Sequence, residues 1–129
     1  MALVINDRVK ENSTTSGTGN ITLAGVASGQ GNVTFNSGIG TSNTTYYCIF
    51  EQGTNTFEIG LGTLSGSTTL ERTTVINNSS GNTSKISFTG GTLDVFCTMP
   101  AAKTVYLDAS GTPVGAASNG FALAMAVAL

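Results

Sequence analysis

The sequence predicts an all-β fold, a small antiparallel β-sandwich or barrel with short strands and turns rich in Gly, Thr and Asn. Three observations predict it: a hairpin pattern at residues 44–64, several other short strand-like runs, and a composition in which Gly, Ser, Thr and Asn make up nearly half of the chain. Disorder favours low hydrophobicity and high net charge, whereas this chain is 40% hydrophobic with a net charge of −2. Its 129 residues have the length of one domain.

The hairpin pattern has two arms and a turn. Residues 44–51 are β-branched and aromatic, which suits a pleated, half-buried surface, and residues 52–55 carry Gly and Asn, which tolerate turn conformations. The second arm alternates, with Phe57, Ile59 and Leu61 on one face and Glu58, Gly60 and Gly62 on the other. This period of two predicts a strand with one buried face. Four of the nine aromatic residues lie in the hairpin, so we expect the core to form around it.

The remaining elements are shorter. Further strands are predicted at residues 21–25, 33–35, 68–76, 86–88, 94–99 and 104–107, with loops at 28–32, 36–43 and 77–84. Residues 3–5 fit either an edge strand or an arm that docks elsewhere. Pro100 ends the strand before it, because proline cannot donate to a ladder. Short strands separated by turns at this spacing are typical of a sandwich or barrel.

The C-terminal end differs from the rest in composition. We predict one β domain at residues 1–111 and an apolar tail at 112–129. Large apolar residues alternate with small ones at the end of the tail, which favours a strand, while the Ala content equally allows a short helix. An exposed tail of this kind would promote aggregation, so we expect it to dock on its own core or on a neighbouring subunit. The candidate subunit-interface residues are Phe121, Leu123, Met125, Val127 and Leu129.

Charge and hydropathy exclude several function classes. Charged residues are only 9% of the chain, which suits a protein packed against copies of itself or within a larger assembly. A pI near 4.7 argues against nucleic-acid binding, since phosphate recognition needs clustered cations. Arg8 and Lys10 are the only close basic pair. We find no secretory signal and no apolar run long enough to span a bilayer, so we expect synthesis in a cytoplasm and no membrane partner.

The two cysteines, Cys48 and Cys97, have neither a zinc spacing nor a CxxC redox motif. Both lie in strand-like runs, and two buried free thiols are the favoured interpretation. A cross-strand disulfide remains open, since it depends on how close the two residues lie.

Few residues are candidates for chemistry. There is no histidine, the commonest general base and metal ligand. Glu51 and Glu58 are candidates for a carboxylate pair across the hairpin, but solvated hairpin charges are the favoured interpretation. Arg72 is interpreted as a structural ion-pair partner. We therefore predict no catalytic residue, no metal site and no cofactor, and a protein that is not an enzyme.

Seven segments follow one another along residues 3–111: DRVKE (7–11), ITLAG (21–25), NTTYYC (43–48), FEIGLGT (57–63), TLERTTV (69–75), DVFCT (94–98) and VYLDASG (105–111). In this order they resemble a family of small phage virion structural domains, found as standalone virion or decoration proteins and as N-terminal domains of phage tail fibres. The resemblance implies no enzymatic activity, and no catalytic residue carries over. The chain departs from the family after Gly111, which favours a compact accessory protein over a fibre.

The resemblance implies a non-enzymatic structural component of a bacteriophage virion, most simply a capsid decoration or cement protein on the major capsid lattice. We expect a homo-oligomer, for which a trimer fits local threefold positions, located in the virion after synthesis in the host cytoplasm. Residues 1–6 or the apolar tail would contact the capsid. One alternative is a tail or fibre-attachment module that binds tail proteins. A second is a host-surface carbohydrate-binding β-sandwich, with Tyr46, Tyr47 and Phe50 as sugar-facing aromatics.

Overall fold

A computed structural model describes residues 1–115 and 126–128. The chain divides into two compact units, Met1–Met99 and Pro100–Leu129. The first unit contains β1 (Lys10–Ser13), β2 (Ser16–Gly17), β3 (Ile21–Thr22), α1 (Phe35–Gly38), β4 (Thr44–Glu51), β5 (Phe57–Gly66), β6 (Thr69–Asn78), β7 (Phe88–Thr89) and β8 (Leu93–Cys97). The second contains a 3₁₀ turn (Ala101–Lys103), β9 (Tyr106–Leu107) and β10 (Pro113–Val114).

The first unit is built on one antiparallel sheet in the order β1-β8-β4-β5-β6-β3. Its two edges meet at Asn12, whose N–H donates to the Gly25 carbonyl (2.9 Å) and whose carbonyl accepts from the Ala24 N–H (2.8 Å). The sheet therefore nearly closes into a barrel, which removes most of its exposed edge. β2 and β7 form a separate two-stranded sheet. The predicted all-β fold is confirmed.

The central hairpin is also confirmed, with β4 and β5 joined by a turn at residues 52–56. Residues N-terminal to β1 run beside the start of β4, because Thr44 donates to Ala2 O (2.8 Å) and accepts from the Val4 N–H (2.9 Å). The segment at residues 3–5 thus pairs with its own sheet through a single parallel bridge between Leu3 and Thr44, which favours the edge-strand interpretation over an arm that docks elsewhere.

The face of β5 that is buried is not the apolar one. Glu58, Gly60 and Gly62 are buried, whereas Phe57, Ile59 and Leu61 are only half-buried. The alternation was predicted correctly, but the core forms on its polar and glycine side. The reason is Tyr47, which is fully buried and lies opposite Gly60. Its ring occupies the space where side chains at Gly60 and Gly62 would lie.

The core inside the nearly closed sheet combines aliphatic and aromatic side chains with polar ones. The apolar members are Val9, Ile21, Leu23, Phe35, Ile39, Tyr47, Ile49, Leu64, Leu70, Phe88, Leu93 and Val95. The buried polar and charged members are Glu11, Ser13, Thr45, Glu51, Glu58, Arg72 and Asn78. Because buried charges are costly unless paired and hydrogen-bonded, this interior requires a specific set of internal partners.

The strand predicted at residues 33–35 is wrong beyond Val33, which bridges to Val9. Thr34 instead caps α1, because its Oγ1 accepts from the Ser37 N–H (3.1 Å). The Phe35 N–H donates to Oε2 of buried Glu11 (2.8 Å). These two acceptors satisfy free N–H groups of the first helical turn, and the turn places Phe35 in the core. The strand predicted at residues 86–88 is displaced to β7.

The second unit is described up to residue 115 and again at 126–128. A short hairpin pairs β9 with β10, and its turn is closed by Asp108, whose Oδ1 accepts from the N–H groups of Ser110 (2.8 Å) and Thr112 (2.9 Å). Residues 126–128 are helical. The tail boundary predicted at residue 112 stays a prediction.

Gly60→Ala should destabilise the protein, because a Cβ at this position would lie 2.6 Å from both Tyr47 Oη and the Thr74 carbonyl oxygen. Overpacking of this kind costs about 1–3 kcal/mol, which chemical denaturation would measure as a lower midpoint. Gly19→Ala is the matched control, since a Cβ there meets nothing within 4 Å. Equal stability of the two variants would contradict the packing described for Tyr47.

Candidate protein-binding surface

The outward side of β4, β5 and β8 carries a continuous set of apolar side chains, most of them large. We call it the outer apolar face: Tyr46, Cys48, Phe50, Phe57, Ile59, Leu61 and Phe96. All seven retain solvent exposure, Phe50 the most at 37%. They alternate along each strand with the buried residues described above, so the same period of two that fills the core also builds this face.

The strand register makes the face continuous. Tyr46 lies opposite Leu61, Cys48 opposite Ile59, and Phe50 opposite Phe57 on the β4–β5 ladder. On the other side of β4, Cys48 lies opposite Phe96. Directly opposed side chains are about 5 Å apart at Cβ and contact one another, so the residues form one patch across three strands.

The patch has the composition of an interface centre. Along β4 and β5 the outward positions from Thr44 to Phe50 and from Phe57 to Thr63 include no charged residue. Charges begin at the border, where Lys10 of β1 and Asp94 of β8 form an ion pair (3.2 Å). Protein interfaces are depleted of charge and enriched in aromatics at their centre, and contiguous exposed apolar patches mark interaction sites.

A buried polar cluster of Tyr47 on β4, Glu58 on β5 and Arg72 on β6 lies on the opposite side of the sheet. All three side chains are at most 1% exposed. Arg72 Nε donates to Glu58 Oε1 (2.7 Å), and its Nη2 donates to Glu58 Oε2. Tyr47 Oη also donates to Glu58 Oε1 (2.8 Å). Burial, followed by the adjacent Glu58 carboxylate, raises the pKa of Tyr47 far above its ordinary value, so Tyr47 stays a proton donor to Glu58.

The rest of the Arg72 guanidinium ties the end of β2 and two loop positions to the sheet. Its Nη1 faces the Gly17 and Gly19 carbonyls (3.4 Å each), and Nη2 donates to the Ile86 carbonyl (2.6 Å). The Ile86 N–H returns a bond to Glu58 Oε2 (2.7 Å). All five guanidinium N–H groups therefore have acceptors, and the guanidinium lies 5.2 Å from the Phe88 ring centroid, within cation–π range.

The interpretation of Arg72 as a structural ion-pair partner is confirmed. The interpretation of Glu51 and Glu58 as solvated charges is wrong, because both are at most 1% exposed. In a nearly closed sheet, every second residue of a strand points inside, whether it is polar or apolar. The alternation within the hairpin does not reveal which of its two faces is the inner one.

Glu51 and Glu58 do not form a catalytic carboxylate pair. Glu51 Oε1 accepts from the Thr89 hydroxyl, the Thr89 N–H (3.1 Å) and the Gly91 N–H (3.4 Å). The Thr89 hydroxyl, more than any other group, lowers the pKa of Glu51. The two carboxylates share no hydrogen-bond partner, and each fixes a different loop to the sheet.

The cysteines are two free thiols, as favoured by the sequence, although both are half-buried. Cys48 lies on the outer apolar face, where burial raises its pKa to about 11. Cys97 lies opposite Tyr47 and within 3.4 Å of Thr45 Oγ1. Cys97 shares the face of Tyr47, its partner across the ladder, whereas Cys48 follows Tyr47 on β4 and therefore points to the other face. Cys48 and Cys97 are thus on different sides of the sheet.

The remaining sequence-predicted residues are placed only in part. Phe121, Leu123, Met125 and Leu129 lie outside the described residues, and Val127 is 79% exposed. Of the aromatics proposed for sugar binding, Tyr47 is fully buried, whereas Tyr46 and Phe50 are on the outer apolar face. Within residues 1–115 and 126–128, no group of three or more metal-ligating side chains occurs. The helices among these residues are too short to cross a bilayer.

Comparison with protein-family models, with curated proteins and with solved structures finds no match to this chain.

Removing either partner of the buried pair should destabilise the protein strongly. Arg72→Met and Glu58→Gln each leave the other group without its partner, which costs about 3–5 kcal/mol. The double variant should lose less free energy of unfolding than the two single variants together, because it leaves no unpaired charge at either position. Urea denaturation of the four proteins measures this coupling.

The border pair provides the control cycle. Lys10 and Asp94 are 29% and 18% exposed at their side chains, and such pairs contribute at most about 1 kcal/mol. Two results would show that the buried cluster does not hold the sheet together. One is that the losses of unfolding free energy in the Arg72–Glu58 cycle are additive, and the other is that they are as small as the loss in Lys10→Met.

Proposed function

We propose that this chain is a non-enzymatic structural component of a bacteriophage virion, a capsid decoration or cement protein that binds the major capsid lattice. The outer apolar face carries the proposal, because it offers an aromatic and aliphatic surface, free of charge along β4 and β5, on a nearly closed scaffold held by internal hydrogen bonds. The segment resemblance along residues 3–111 supplies the phage context.

A decoration protein stabilises a lattice by adding buried interface across subunit boundaries. The outer apolar face suits this role, since its seven side chains lie on three paired strands whose register is fixed by backbone hydrogen bonds. A preorganised surface loses little conformational entropy on binding. Burying its apolar area provides a driving force of about 25 cal/mol per Å² before those costs.

The engagement of the polar residues also supports a non-enzymatic role. Glu51, Glu58 and Arg72 are the residues that the sequence analysis weighed for acid–base or ionic chemistry, and all three are at most 1% exposed and hydrogen-bonded internally. A general acid or base must reach its substrate, so these groups are better suited to holding loops than to catalysis.

Copy number per particle tests the head location. Quantitative mass spectrometry of virions from the phage that encodes this chain should find it in numbers comparable to the major capsid protein, on the order of hundreds. A few to a few tens of copies would favour the alternative, a tail or fibre-attachment module. Absence from the particle would contradict both.

Phe50→Ser should weaken binding to particles that lack the protein by roughly ten-fold or more, equivalent to about 1.4 kcal/mol. Phe50 is the most exposed member of the outer apolar face. Tyr106→Ser is the matched control, since Tyr106 is an aromatic 50% exposed in the second unit. Sedimentation of labelled protein with particles measures both. Equal loss in the two variants would contradict the assignment of the outer apolar face.

A further inference from the structure

A cavity of about 340 Å³ opens beside the outer apolar face, between β1, β8 and the loop at residues 30–33. We call it the basic pocket, and its lining residues are Arg8, Val9, Lys10, Asn32, Phe96 and Cys97. Backbone hydrogen bonds frame it: the Cys97 N–H donates to Val9 O (3.0 Å), and the Lys10 N–H donates to Val33 O (3.1 Å). Phe96 belongs to both the pocket and the outer apolar face.

Arg8 presents an uncompensated guanidinium to this pocket. Its backbone has φ +59°, a left-handed conformation that is uncommon for a residue with a side chain. The guanidinium donates to the carbonyls of Gln30 and Gly31 through Nη2 and Nε. Among the described residues no carboxylate pairs with this exposed guanidinium, and none of them provides a hydrogen-bond acceptor for its Nη1.

The acidic groups near the pocket are already engaged or lie outside it. Asp94 is held by Lys10 (3.2 Å) and by Gln52 Nε2. Glu11 follows Lys10 but is buried on the other face, where it accepts from backbone N–H groups. Asp7 precedes Arg8 and is exposed but does not line the pocket. Asp94 therefore balances the Lys10 charge, and Arg8 is the charged residue of the pocket lining that has no ion-pair partner among the described residues.

We propose that the basic pocket binds a carboxylate, supplied by an acidic side chain of the protein that docks on the outer apolar face. A guanidinium fixed by two backbone carbonyls keeps its remaining N–H donors oriented for a carboxylate. The phenyl ring of Phe96 gives the pocket an apolar wall, and the Asn32 amide lies beside it as a further donor. The identity of the docking partner rests on the proposed function, whereas carboxylate binding by the pocket does not.

The first test uses 3-phenylpropionate as the probe, with ¹H–¹⁵N NMR of the full chain. We expect saturable shifts at the amides of Arg8, Lys10, Asn32 and Cys97, with a dissociation constant on the order of millimolar. Arg8→Gln should weaken binding about ten-fold or more, and Arg8→Lys should weaken it less, because it keeps the charge but loses the two-pronged geometry. Lys85→Gln is the charge-matched control and should leave binding unchanged.

Several outcomes would overturn carboxylate binding. One is that the uncharged 3-phenylpropan-1-ol causes shifts as large as those from 3-phenylpropionate, and another is that Lys85→Gln weakens binding as much as Arg8→Gln does. The others are tighter binding of inorganic phosphate than of the carboxylate, and no saturable shift at probe concentrations up to about 50 mM, which would reveal millimolar binding. These measurements need no virion, so they stand whether or not the protein is found in particles.

The second test measures particle binding. Arg8→Gln should weaken sedimentation with particles several-fold relative to Lys85→Gln, and raised salt should reduce the difference by screening the charge. Normal particle binding by Arg8→Gln would overturn the assignment of the pocket to the partner interface. Absence of the protein from virions would overturn the proposed function and leave the probe-binding result unaffected.

Discussion

The buried ion pair between Arg72 and Glu58 is the constraint on which the rest of this structure depends. Both side chains are at most 1% exposed, and a buried charge is tolerated only when it is paired and fully hydrogen-bonded. The guanidinium meets this condition by bonding across to Glu58 and to backbone carbonyls before β3 and before β7. The loops at the end of the sheet are therefore positioned by one side chain.

This interior also accounts for the outer surface. Glu58 shares its face of β5 with Gly60 and Gly62, where the Tyr47 ring needs the space. Strand alternation then places Phe57, Ile59 and Leu61 outside. β5 and β6 pair through register shifts at Ile59/Gly60 and Leu61/Gly62, so the ladder bends where the glycines occur. On β5, a polar and glycine inner face and an apolar outer face are thus two results of one alternating pattern, and the outer face is the surface that the proposed function assigns to a partner.

The sequence was a good guide to local structure and a poor one to which face is buried. Residues 44–64 showed their hairpin through β-branched residues, a Gly/Asn turn and period two, all of which are local signals. Apolar residues are usually buried, so the sequence suggests that the apolar face of β5 is the inner one. Which face is inner depends instead on contacts between distant segments, namely the closing contact between Asn12 and residues 24–25 and the Arg72–Glu58 pair. Neither contact can be recognised from the sequence around its residues. The helical turn at Phe35 likewise depends on Glu11, which is distant in sequence. Of the basic pocket, the sequence showed only the close pair Arg8 and Lys10. It did not show that the loop at residues 30–33 completes the pocket.

Hydroxyl-radical footprinting of the free and the particle-bound protein tests most directly whether the outer apolar face is an interface. Modification of the Tyr46, Phe50 and Phe57 side chains should fall several-fold on binding, because these rings retain solvent exposure in the free chain and the centre of an interface excludes water. Tyr106, in the second unit, provides the reference rate within the same molecule. Unchanged modification of Phe50 and Phe57 in a protein that is bound to particles would contradict the account.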